Sequence, residues 1–159
     1  MQHFQYAYWA GGDHMFLRRR SDKLDALKTV PLLGGLSRRH LGLIARHADE
    51  VKVEPGKVLT RQGRLGWEFF LILDGRASVE RDGTVIARVG AGDVFGEMSA
   101  IDQRPRSATV IAETPMTLLV VHVRSFSALL DEVPELRRKV LLTFCERLRA
   151  ADEALALRN

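Results

Sequence analysis

The chain has 159 residues, enough for one domain with a hydrophobic core, and its 46% hydrophobic and 28% charged residues exclude a wholly disordered chain. The formal net charge of +4 permits an anionic ligand. It does not require nucleic acid, because the basic residues are mostly scattered and runs such as Arg18–Arg20 and Arg137–Lys139 are typical of a solvated surface.

The cysteine content, the histidine spacing and the hydropathy further narrow the class of protein. The single cysteine, Cys145, excludes an intramolecular disulfide and is typical of a reducing, cytoplasmic compartment. The five histidines show no tight metal-ligand spacing, so no metal or other cofactor is predicted. No apolar stretch approaches the roughly 20 residues of a membrane helix, so no membrane insertion is predicted either.

The first part of the chain divides at about residue 20. Residues 1–20 mix aromatic and polar side chains and include Gly11–Gly12, so they are interpreted as an N-terminal arm or, with slight preference, as an added leader before a true start at Met15. Residues 21–159 are predicted to form the domain. The pattern over residues 22–48 is helical, with Ser37 as an N-cap and a break at Gly34–Gly35.

Short apolar runs separated by turn residues follow after residue 50. This rhythm predicts an antiparallel sandwich or barrel. Asp82–Gly83 is the best hairpin signal, because glycine tolerates the positive φ that tight turns need. The predicted strands are Val51–Val53, Lys57–Thr60, Phe69–Leu73, Ala77–Val79, Val85–Val89, Thr109–Ile111 and Met116–Val123.

Helical periodicity returns at the C-terminal end. Ser125 is predicted to cap a short helix ending at Asp131, and Pro134 suits the first turn of a longer helix. The longer helix carries an apolar stripe that is expected mainly to pack on the domain, formed by Leu136, Val140, Leu141, Phe144, Leu148, Ala151 and Leu155. The fold class predicted is therefore α+β, an antiparallel β roll (a jelly-roll-like barrel) flanked by N-terminal and C-terminal helices.

One segment, residues 93–110, interrupts the strand–turn rhythm. Gly96 lets a ligand approach the backbone closely, and the amides of Glu97–Ser99 open a short helix whose N-terminus favours anions. Arg106 supplies a charged fork suited to two phosphate oxygens. A carboxylate beside an anion site is electrostatically unfavourable unless it has a separate role. Glu97 could accept a hydrogen bond from a sugar hydroxyl. The combination suits a sugar phosphate.

These residues resemble a known family. Phe95-Gly-Glu-Met-Ser, followed nine positions after Glu97 by Arg106 within Pro-Arg-Ser-Ala-Thr-Val, is similar to the phosphate-binding cassette of cyclic nucleotide-binding domains. The likeness extends to Pro55-Gly-Lys-Val-Leu-Thr-Arg-Gln-Gly63, Phe70-Leu-Ile-Leu-Asp-Gly75 and Gly92-Asp-Val-Phe-Gly96, and it covers about residues 24–156. The family includes the catabolite activator protein and the regulatory subunits of cAMP-dependent kinase.

The resemblance implies a ligand, a site and a mechanism. Glu97 would bond the ribose 2′-hydroxyl and Arg106 the exocyclic phosphate oxygens. Ser107 stands where the resemblance favours cAMP without excluding cGMP. The predicted ligand-binding residues are Gly96, Glu97, Met98, Ser99, Arg106, Ser107 and Ala108, with Val79 as a purine contact.

In the family, the helix after the roll moves onto the pocket. That behaviour implies that one of Arg147, Leu148 and Ala151 meets the base. It also implies that the C-terminal helix relays binding to an effector domain or to a second copy in a homodimer.

Three alternatives stay open at this point. Phe69, Phe70 and Val79 are expected to be core residues, with ligand contact as an addition. The first alternative is that Glu97 and Arg106 form a structural ion pair. The roll could instead be a nucleotide-free interaction module that dimerises through the long helix. A regulator that contacts DNA ranks last. No motif pairs a nucleophile with a base, so the sequence does not predict an enzyme.

Overall fold

The computed structural model describes residues 20–158, with side chains described from residue 23 onward. The predicted arm or leader at residues 1–19 therefore lies outside the described part of the chain. The helices are α1 (Arg20–Lys28), a 3-10 turn (Pro31–Leu33), α2 (Arg38–His47), α3 (Glu97–Asp102), α4 (Val123–Glu132) and α5 (Pro134–Leu157). The strands are β1 (Ala48–Val53), β2 (Val58–Thr60), β3 (Glu68–Asp74), β4 (Arg76–Arg81), β5 (Thr84–Gly90), β6 (Val94–Phe95), β7 (Thr109–Ala112) and β8 (Met116–His122).

The strands form two four-stranded sheets. One sheet has the order β1-β8-β3-β6 and the other has the order β2-β7-β4-β5, and every neighbouring pair is antiparallel. Helices precede and follow this β roll in the chain, so the predicted fold class is confirmed. All seven predicted strands are present. The two-residue strand β6 was missed, because it is too short to show a period of its own and forms only by pairing with β3.

Strand β3 is buried on both faces and so connects two hydrophobic clusters. Phe69 and Leu71 face the helices, where Phe69 stacks on Phe126 of α4 with ring centroids 4.5 Å apart. Phe70 and Ile72 face the other sheet, because successive side chains of a strand point to opposite sides. The expectation that Phe69 and Phe70 belong to the core is confirmed.

Two of the local signals in the sequence are confirmed and one is wrong. Asp82 and Gly83 adopt φ angles of 52° and 78° and join β4 to β5 in the predicted hairpin. The Ser37 hydroxyl accepts a hydrogen bond from the His40 amide at 3.2 Å, so the N-cap of α2 is confirmed. Ser125 does not cap α4. Instead, His122 is the N-cap, and its Nδ1 accepts from the Arg124 amide at 3.2 Å.

The apolar stripe of α5 packs on the domain only over its first turns. Leu136 and Val140 are buried, whereas Leu141, Leu148 and Leu155 are about 60% exposed. A helix of 24 residues is about 36 Å long, and its later turns extend beyond the cluster that buries the first ones. Phe144 is partly buried against the same cluster, so three of the seven stripe residues pack on the domain and the prediction that most of them do is wrong.

Candidate functional site

The site begins where β6 ends and α3 starts. Gly96 caps α3 with φ 82°, a conformation that favours glycine. A Cβ at Gly96 would lie 2.7 Å from Nη1 of Arg106 and 2.9 Å from the carbonyl oxygen of Glu68. The missing Cβ of Gly96 thus leaves room for the Arg106 guanidinium. The close approach of a ligand to this backbone stays a prediction.

Arg106 is held by two partly buried backbone carbonyls. Its Nη1 donates to the Gly96 carbonyl at 3.1 Å and its Nη2 donates to the Glu68 carbonyl at 2.8 Å. The Glu68 carboxylate lies 3.5 Å from Nη2. Burial lowers the pKa of the Arg106 guanidinium from its ordinary value, and the Glu68 carboxylate opposes that shift. Because arginine stays protonated even so, the site carries a fixed positive charge of defined orientation.

Glu97 is buried and faces a residue from the far end of the chain. Its Oε1 pairs with Nη1 of Arg147 on α5, and Nη2 of Arg147 donates to the Val94 carbonyl at 3.1 Å. Burial lowers the pKa of Arg147, and the Asp93 carboxylate opposes the shift. Glu97 and Arg106 therefore do not form the structural ion pair considered above, because each has a different partner.

A cavity of about 640 Å³ opens between the sheet β2-β7-β4-β5, α3 and α5. The structure brings all eight predicted site residues to its wall: Val79, Gly96, Glu97, Met98, Ser99, Arg106, Ser107 and Ala108. Arg147 and Ala151, two of the three helix residues predicted to meet a base, also line it. Leu148, the third, does not line the cavity and is 64% exposed.

Sequence reasoning missed two residues that surround Arg106. Glu68 supplies a carbonyl and a carboxylate, and Gly66 supplies space, since a Cβ there would lie 2.1 Å from Nε of Arg106. Both precede Arg106 by about 40 positions, and no local periodicity marks them. The signal that could have found Gly66 was a glycine without an obvious turn, just before a buried strand.

The described residues contain neither a cluster of metal ligands nor a membrane-spanning helix. Within residues 20–158, no three His, Cys, Asp or Glu side chains come together as a metal site. None of the helices in this range is long and apolar enough to cross a membrane.

Comparison with known proteins decides the family. The profile of the cyclic nucleotide-binding domain matches residues 50–133, more than half of the chain. The chain belongs to the cyclic nucleotide-binding domain family. This match spans the roll and the segment that carries Glu97 and Arg106, so the resemblance is confirmed.

Three similar members of the cyclic nucleotide-binding domain family illustrate its range. A cyclic nucleotide-gated potassium channel of Rhizobium etli is 34% identical, over 89% of this chain and 41% of the channel. The catabolite activator protein of Thermus thermophilus superimposes with a TM-score of 0.73 at 30% identity, covering 80% of this chain and 62% of that structure. The cAMP-bound PfPKA-R fragment superimposes with a TM-score of 0.74 at 26% identity, covering 86% of this chain and 47% of that structure. The chain thus spans less than half the length of the channel.

Proposed function

We propose that the chain binds a cyclic nucleotide, cAMP in preference to cGMP, in the 640 Å³ cavity and acts by binding rather than by catalysis. The observation that carries the proposal is the wall of that cavity, where one buried arginine and one buried glutamate face the same space. Arg106 would hold the cyclic phosphate, since a guanidinium can donate to two phosphate oxygens at once. Glu97 would accept the ribose 2′-hydroxyl.

The remaining site residues complete the proposed pose. The amides of Met98, Ser99 and Ala108 would donate to the phosphate, and Val79 would contact the purine. Ser107 is exposed and lines the cavity, and its hydroxyl would contact the ligand. The cAMP carried by the PfPKA-R fragment supports cAMP as the ligand here.

Binding is proposed to be relayed by α5. Arg147 connects α5 to Glu97, the residue assigned to the ribose, so a ligand in the cavity would meet the helix directly. A ligand can shift the position of α5 only if it binds the two positions with different affinity, and contacts with Arg147 and Ala151, which line the cavity, would provide such a difference. The output would then pass to an effector segment or to a second copy of the chain.

The test is isothermal titration calorimetry of cAMP and cGMP into the wild-type chain, Arg106→Ala and Arg104→Ala. Loss of the charge partner should cost about 2–5 kcal/mol, which weakens binding about 30-fold or more. Arg104 is an exposed arginine two positions away and outside the cavity wall, so Arg104→Ala should bind like the wild type. A folded wild-type chain that binds neither nucleotide would overturn the proposal.

A second candidate function is a nucleotide-free interaction module. The observation that favours it is the row of exposed leucines at Leu141, Leu148 and Leu155 on α5. They are spaced by seven residues, the repeat by which two helices pair. The same row would also serve a nucleotide-binding homodimer, so the two functions differ in the titration above and not in the oligomeric state.

A further inference from the structure

A second cavity lies on the other side of Arg106. It has a volume of about 560 Å³ and is lined by residues 56–61, which include strand β2, and by residues 64–68, which lead into β3. We call it the outer groove. Arg106 and Thr60 line both cavities, whereas Arg61, Arg64 and Trp67 line the outer groove and not the inner cavity.

The outer groove carries a surplus of positive charge. Lys57, Arg61 and Arg64 line it, and Glu68, the one carboxylate among the described residues of its wall, lies against Arg106. Arg61 and Arg64 are exposed, and neither forms a salt bridge with another residue of the described chain. A surface with this charge attracts an anionic occupant and disfavours a basic one.

Two large apolar side chains stand beside these arginines. Leu65 is 59% exposed and Trp67 is 41% exposed. Tryptophan and arginine are the residues most enriched at the centres of protein–protein contacts, because each combines a large apolar area with polar groups that orient a partner. The chemistry of the groove thus suits an occupant with both carboxylates and an apolar side chain.

The loop that forms the groove is held in place by its backbone. The Gly63 amide donates to the Arg106 carbonyl at 2.8 Å, and the Arg106 amide donates to the Arg64 carbonyl at 2.8 Å. A wall that is ordered before binding loses less conformational entropy when a partner arrives. The groove is therefore a preformed surface.

We propose that the outer groove binds an extended, acidic segment of a partner protein, with an apolar side chain against Leu65 and Trp67 and carboxylates on Arg61 and Arg64. A peptide segment that carries both carboxylates and an apolar side chain matches the charge of Arg61 and Arg64 and the exposed apolar area of Leu65 and Trp67. The proposal does not depend on nucleotide binding.

The probe is a short fluorescein-labelled peptide of glutamates around a central Leu-Phe pair, followed by fluorescence polarisation. The variant that combines Arg61→Glu with Arg64→Glu should bind it about tenfold or more weakly, since like charges then face each other. Trp67→Ser should weaken binding several-fold while leaving the charge unchanged. The same peptide with glutamine in place of glutamate should bind weakly to every variant.

The matched control combines Arg137→Glu with Arg138→Glu, two exposed arginines of α5 that do not line the groove and that change the net charge by the same amount. It should bind the peptide like the wild type, and thermal unfolding should confirm that all variants fold. Equal losses in the two double variants would overturn the proposal, because net charge alone would then explain the binding. The proposal would also be overturned if the wild-type chain did not bind the peptide but sedimented with phosphatidylserine vesicles, and if the groove substitutions abolished that sedimentation.

Discussion

Gly66 is a glycine because of the space it leaves and not because of its backbone conformation. Its φ does not lie in the left-handed region, yet a Cβ would sit 2.1 Å from Nε and 2.4 Å from Cζ of Arg106. The guanidinium occupies the volume that any other residue would fill. Together with the carbonyls of Gly96 and Glu68, Gly66 determines where the positive charge of the site points.

We expect Gly66→Ala to displace the guanidinium and weaken cyclic nucleotide binding while the domain stays folded. A displaced guanidinium would make poorer hydrogen bonds to the phosphate, which should cost about 1–3 kcal/mol, a drop in affinity of roughly fivefold or more. Calorimetric titration of the nucleotide into the variant measures this loss of affinity.

The control for this substitution is Gly90→Ala. An added Cβ at Gly90 meets its nearest atom at an ordinary 3.6 Å, and Gly90 lies outside the cavity wall. Unchanged nucleotide affinity in Gly66→Ala would contradict the positioning role.

At the scale of elements, α5 is joined to the rest of the domain in two different ways. Leu136 and Val140 anchor its first turns in the hydrophobic cluster. Further along, Arg147 reaches Glu97 and the Val94 carbonyl from a helix whose other side is exposed. The first attachment is apolar, and the second is polar and lies at the cavity, so the proposed relay would act through the second half of α5.

Arg147→Gln should loosen the second half of α5 in the nucleotide-free chain. Because the Arg147 side chain is 46% exposed, the ion pair contributes at most about 1 kcal/mol, so hydrogen exchange there should rise no more than a few-fold. Mass spectrometry of peptides from α5 detects the change, and the anchored first turns should be unaffected. Arg149→Gln, on the same helix and exposed, is the control. Equal exchange in both variants would mean that Arg147 does not hold the helix.

The molecule as a whole presents the row Leu141, Leu148 and Leu155 outward along α5. In water, three leucines that are each about 60% exposed lose the stabilisation that burial would provide. Pairing the row with the same row of a second copy would bury it, with the domains on the outside. This arrangement would connect the helix that touches the cavity to a dimer interface.

We therefore expect the wild-type chain to be a homodimer in light scattering after size-exclusion chromatography, and Leu148→Glu to be a monomer. A charge in the middle of the row cannot be buried without a partner. Leu157→Glu, which places the same charge on an 89% exposed leucine outside the row, should stay dimeric. A monomeric wild-type chain would contradict pairing through α5.

The sequence by itself determined the features that depend on neighbours in the chain. Turn residues and alternating apolar runs marked seven of the eight strands and the Asp82–Gly83 hairpin, since φ preference and strand period act over a few residues. The cassette from Gly96 to Ala108 was recognised by its resemblance to a known family, whose motif is also local in sequence. All eight predicted site residues line one cavity, and seven of them belong to this cassette.

Only the tertiary structure decided which distant groups meet. The two buried charged side chains pair with residues about 40 to 50 positions away in the sequence. Arg106 pairs with Glu68, and Glu97 pairs with Arg147. Helix and strand periodicity do not extend over such separations. Helical periodicity likewise shows that α5 has an apolar stripe but not where its packing ends. Burial depends on what lies opposite a side chain, and that is a property of the folded chain.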